Sequence, residues 1–115
     1  MLCRHNSDVM IPYESTIEGN ILKYLNGLPH TKAVKWSQDG RQQGNPDIIC
    51  GHRGLMLLFE VKRPGENPSL LQSTTIQEWR EAGVIAEVVY SVDDVKRTME
   101  MVGRVRGVSV SQVGT

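Results

Sequence analysis

The chain has 115 residues, a length that suits one domain able to bury a single core without disulfides or structural metals. Hydrophobic residues at 39% and charged residues at 23% are ordinary for a globular protein, and no apolar run approaches the roughly 18 residues that a membrane span requires, so no membrane partner is expected. Thirteen Lys and Arg balance thirteen Asp and Glu; neutrality argues mildly against a nucleic-acid partner unless carboxylates gathered at a cation site leave a basic rim. The first residues, Met1 to Asp8, have neither an apolar signal core nor a small-residue cleavage site, so a cytoplasmic location is expected. Cys3 and Cys50 are too few for a disulfide framework and are expected to be free thiols. Cys3 and His5, with His30 and His52 isolated, do not make a zinc-ligand spacing, and no organic cofactor is expected.

From Pro12 to about Asn26, Ile17, Ile21, Leu22 and Leu25 recur at helical spacing, and Gly27 stands where a helix ends. A short strand is predicted over Lys32 to Trp36, then a polar loop from Ser37 to Asn45. Two apolar strands, Pro46 to Cys50 and Leu55 to Lys62, flank a turn at 51–54 with glycines at both ends. Beyond the breakers between Arg63 and Pro68, the spacing predicts a second helix from Ser69 to Ala82. Its apolar residues are Leu70, Leu71, Ile76 and Trp79, and Gly83 is its stop. The β-branched run from Val84 to Tyr90 predicts a buried strand, and Ser91 followed by Asp94 predicts the capped start of a third helix. The order α-β-β-β-α-β-α makes this an α/β domain. A single domain spans 1–115 with its core at about 12–103, and 104–115 reads as an added edge strand, a dimer contact or a frayed tail.

Chemistry concentrates at the end of the third strand. Side chains alternate along a strand, so Glu60 and Lys62 share a face while Phe59 and Val61 point into the opposite layer. Burying charge costs about several kcal/mol unless it is paired or bound to a metal; an ion pair at a strand end is the plainest explanation of the two. Asn45-Pro46-Asp47 adds a second carboxylate upstream. In a hairpin turning at 51–54, position 47 pairs near 58 or 59, so a small register adjustment brings Asp47 to Glu60. Converging carboxylates raise one another's pKa unless a hard cation neutralises them. Mg²⁺ fits best, held by Asp47, Glu60 and the backbone carbonyl of Val61. Lys62 then reads as an orienter of water and a stabiliser of developing negative charge.

Asn45-Pro46-Asp47 followed by Glu60-Val61-Lys62 resembles the PD-(D/E)xK nuclease signature. More narrowly, the chain resembles stand-alone VRR-NUC domains of phages and bacteria. The matching features are Glu14 to Glu18, Gly44 to Ile49, Phe59 to Gly65, Leu71-Gln72, Ala82-Gly83 and Tyr90 to Val95, spread over about residues 12 to 96. The resemblance implies a restriction-endonuclease-like αβββαβ core with a mixed central sheet flanked by helices. It implies Asp47 and Glu60 as metal ligands, Lys62 as the catalytic lysine and Gln72 as a site glutamine, with Gln77 the rival if the helix register differs. It also implies a helix-one acid, Glu14 or Glu18, with a slight inclination to Glu14. Mn²⁺ is expected to substitute for Mg²⁺.

Lys35, Arg41 and Arg63 are the candidate DNA contacts, and ordinary solvated surface charge is the competing explanation for each. The expected function is a metal-dependent endonuclease cutting branched DNA, such as Holliday junctions or flaps. Similarity to archaeal junction resolvases implies a homodimer. The alternatives are a non-cleaving DNA-binding module of the same fold and a sequence-preferring restriction-type nuclease.

Overall fold

Helix α1, Glu14–Asn26, turns one apolar stripe inward, with Ile17, Ile21 and Leu25 buried at the i, i+4, i+8 positions of one face. The computed structural model describes residues 11–36 and 44–106. After α1 come β1 (Thr31–Lys35), β2 (Ile48–His52), β3 (Leu55–Val61), α2 (Leu70–Glu81), β4 (Ile85–Val89) and α3 (Val92–Arg106), the order read from the sequence. The strands lie side by side as β1-β2-β3-β4. The first two pairings are antiparallel; α2 then carries the chain over so that β4 joins β3 in parallel.

Alternation along β3 divides the core in two. Leu57, Phe59 and Val61 face α1 and α3 with Ile48, Val95 and Met99, whereas Leu58 meets Ile76 and Ala86 beneath α2. Trp36 and Trp79 close this second layer edge to face, their centroids 5.9 Å apart. As the central strand, β3 is covered on both faces, so its charged end lies against packed protein. No helix of the described residues is long and apolar enough to cross a membrane.

Several boundaries differ from the sequence reading for physical reasons. The hairpin turn is only Arg53-Gly54, both at positive φ (50° and 87°), and Gly51 and His52 belong to β2. Two residues in this left-handed region match the twist of a tight hairpin. The shorter turn sets Ile48 opposite Phe59, and Asp47, just before the strand, is hydrogen-bonded to Phe59 as well. On α2, Leu70 and Leu71 are exposed, because the sheet-facing stripe runs through Gln72, Ile76 and Trp79 and the two leucines fall off it by the 3.6-residue period. The run expected to be a buried strand lies at the edge of the sheet among the described residues, with Ala86 and Val89 buried and Ile85, Glu87 and Val88 half-buried. Helix α3 continues through Arg106, so 104–106 are helical; residues 107–115, read as a strand or tail, lie outside the described residues.

Candidate active site

Asp47 lies just before β2, where the sheet still holds its backbone. Its N–H donates to the Phe59 carbonyl at 3.0 Å, and its carbonyl accepts from Trp36 N–H at 2.7 Å. Because Ile48 is also registered opposite Phe59, two residues address one, as in a β-bulge. The bulge frees the Asp47 side chain to reach along β3, where Oδ2 accepts the Val61 N–H at 2.9 Å. Asp47 is thus tied by backbone and carboxylate to both sides of Glu60.

Glu60 is 2% exposed, the most deeply buried of the carboxylates at this end of the sheet. One of its oxygens, Oε2, accepts from Gln72 Nε2 at 2.9 Å and lies 3.9 Å from Lys62 Nζ. The other, Oε1, is buried with no hydrogen-bond partner. Gln72 is itself held from two directions. Its Oε1 accepts the Ser69 N–H at 2.9 Å, and its own N–H donates to Ser69 Oγ at 3.1 Å, a capping box at the start of α2. The backbone contact fixes which end of the Gln72 amide is oxygen, so the amide nitrogen must face Glu60. Gln77, the rival glutamine, is on the exposed side of α2 beside Glu81.

Helix α1 brings both of its acids to Asp47. Glu14 and Glu18 are four residues apart on one face, and one oxygen from each lies within 4.8 Å of the others and of an Asp47 oxygen. Glu60 is outside this trio, held back by Gln72. Lys35 Nζ pairs with Glu18 at 3.2 Å, although the lysine side chain is 62% exposed. Arg63 turns away from the carboxylates: its Nε donates to the Pro12 carbonyl at 3.1 Å and its Nη2 to that of Ile11 at 3.4 Å. Arg41 lies outside the described residues.

Two solved structures share this architecture. One, described as a VRR_NUC domain, is 26% identical, with a TM-score of 0.66 over 76% of this chain and 94% of that one. The chain has the fold of a VRR-NUC domain. The other, a VRR_NUC domain protein, is 16% identical and shares the fold with a TM-score of 0.69 over 89% of this chain and 99% of that one. No family model and no curated protein matches the sequence. A VRR-NUC domain is a nuclease-type domain, with DNA as the implied substrate and divalent metal use suggested by the fold.

The electrostatics of this VRR-NUC domain fit a cation. Burial first, then the charge of Asp47, pushes the Glu60 pKa up to about 8, against a partly offsetting pull from Lys62. Asp47 is also raised, mainly by burial, with the Val61 N–H opposing; Glu14 is raised by burial and then by Asp47. Four carboxylates thus crowd one end of the sheet. The buried, unpartnered Glu60 Oε1 is an acceptor that the protein leaves for another group. An all-oxygen donor set of this kind suits a hard divalent ion.

Sequence reasoning missed the roles of Ser69 and Arg63. The Ser69-x-x-Gln72 spacing carries the capping-box signal and identifies the fixed glutamine. Arg63's reach to residues 11 and 12 is a contact across more than 50 positions of sequence, for which no local signal exists.

Proposed function

We propose that this domain is a Mg²⁺-dependent endonuclease that hydrolyses DNA phosphodiesters at the β2–β3 end of its sheet. The reading is carried by one observation: Glu60 is buried beside Asp47 with Oε1 unpartnered. Asp47, Glu60 and the Val61 carbonyl would hold the cation, with Glu14 and Glu18 completing the acidic wall. When bound, a Mg²⁺ or substituting Mn²⁺ ion supplies charge neutralisation and Lewis acidity.

The chain's own residues do the rest. Lys62, largely buried and 3.9 Å from Glu60, orients water and stabilises negative charge as that charge develops on the phosphate. Gln72 holds Glu60 in one rotamer, and Ser69 holds Gln72. Lys35 extends outward from Glu18 and supplies a phosphate contact.

Branched DNA, a Holliday junction or a flap, is the substrate class we assign, cut by a homodimer. Exposed Met101 and Val105 on α3, beside the half-buried edge strand β4, supply an apolar surface for self-association. Incubating the domain with labelled linear, flapped, splayed and four-way DNA, with and without Mg²⁺, tests the assignment. Faster metal-dependent cutting of branched forms is expected, and equal rates on all forms would remove the branched preference.

A further inference from the structure

Tyr13 is 74% exposed, so it contributes little to the core, yet its ring has a neighbour. The Arg63 guanidinium lies over it at 5.9 Å from the ring centroid, and that guanidinium is pinned by the carbonyls of Pro12 and Ile11. The positions of the two residues give the contact its meaning. Tyr13 immediately precedes Glu14 of the carboxylate trio, and Arg63 immediately follows Lys62. Their contact therefore joins the start of α1 to the chain just beyond β3, each residue one position from a side chain of the site. A flat aromatic face held there by a cation suits a nucleobase that has left its stack.

We infer that Tyr13, backed by Arg63, is a stacking platform for an unpaired base next to the phosphate addressed by the site. The inference rests on the nuclease reading and adds to it a means of favouring DNA with unpaired nucleotides. A paired base keeps both faces covered by its neighbours and cannot use the ring. An unpaired base at a flap or junction has a face to offer. Recognition by stacking is indifferent to base identity, because every base has a π-face. Arg63 thus contributes through the ring it holds, with its Nε and Nη2 donating to backbone oxygens.

The test is equilibrium binding of splayed-arm DNA carrying 2-aminopurine at the first unpaired position, in excess EDTA so that binding is read without hydrolysis. Stacking on the ring is expected to quench the fluorophore. Tyr13→Ala is expected to weaken binding of the splayed DNA by about 5- to 150-fold, with a smaller loss on blunt duplex, and to abolish the quench. Tyr13→Phe, which keeps the ring, is expected to retain both. Arg63→Gln is expected to give a partial loss of the quench. Unchanged quenching and affinity in a folded Tyr13→Ala protein, verified by circular dichroism, would overturn the platform. An equal loss on splayed and blunt DNA would overturn it too, since that pattern marks a general contact. Failure of the wild-type protein to cut any DNA with Mg²⁺ would strike the nuclease reading instead, leaving the binding result to stand alone.

Discussion

Replacing Glu60 with glutamine separates the needs of the fold from those of the site. In the folded protein Glu60 titrates at about 8, against 4.5 for an unperturbed carboxyl. Between these values the folded state keeps a proton that the unfolded state has released, so stability falls as pH rises through the window. The contribution is intact below about pH 4.5 and is lost by about pH 8. Asp47 and Glu14, also raised, add to the loss in the same direction.

Fully expressed, the Glu60 gap corresponds to about 4 to 5 kcal/mol. Glutamine removes the ionisation and still accepts from Gln72, but it sets an amide where Oε1 lacks a partner, a penalty of about 1 to 3 kcal/mol. The net expectation at pH 8 is a gain of about 2 kcal/mol, which for a domain of this size raises the thermal midpoint by about 10 °C. At pH 5 the gain disappears, because the wild-type side chain is already protonated in the folded state. Thermal unfolding in EDTA at both pH values, followed by circular dichroism, reads the difference. If Glu60→Gln lowers the midpoint equally at pH 5 and pH 8, ionisation of Glu60 is not what burdens the fold and the argument for a cation weakens with it.

Added Mg²⁺ should raise the wild-type midpoint more at pH 8 than at pH 5, since Glu60 holds its proton in the folded state at pH 5; an equal or absent rise in the same scans would count against a cation at these residues. Lys62→Ala should lose cleavage while keeping the wild-type circular dichroism spectrum and DNA affinity, as shown by gel assays of cutting beside binding isotherms. Ser69→Ala should cost about 1 kcal/mol in urea unfolding through the lost cap and also slow cleavage, because Gln72 loses one of its two holds; restoration of both by Ser69→Thr would confirm the capping route. Gly83 has φ of 93° and ends α2 in a Schellman turn, with Val84 N–H bonded to the Trp79 carbonyl and Gly83 N–H to that of Arg80. Gly83→Ala should therefore destabilise by about 1 to 2 kcal/mol with cleavage unchanged at temperatures where the variant is folded.

The fold was legible wherever a period or a stop signal was strong. The Ile17, Ile21, Leu25 stripe, the β-branched run before Tyr90 and the Ser91 cap all carry their structure locally, and each element follows in the predicted order. The register of the hairpin was less legible, because glycines at 51 and 54 permit two turn lengths and only the positive φ of Arg53 selects the shorter. Leu70 and Leu71 misled because apolar residues beside a helix start look like core until the stripe is phased by Ile76 and Trp79.

At the site, strand alternation placed Glu60 and Lys62 on one face, and the structure sets them 3.9 Å apart. The choice between Glu14 and Glu18 could not be made from sequence, and the structure brings both to Asp47. What sequence could not show is burial. That Glu60 is 2% exposed with an unpartnered oxygen depends on α2 lying over β3, a packing fact with no signature in the Phe59-Glu60-Val61-Lys62 string itself.

The most direct measurement is a time course of labelled branched DNA with the wild-type domain in Mg²⁺, with the wild-type domain in excess EDTA, and with Asp47→Ala in Mg²⁺. Cleavage in the first reaction and none in the other two is the predicted result. Cutting at the wild-type rate by Asp47→Ala, or undiminished cutting in EDTA, would contradict a metal-dependent nuclease built on these carboxylates.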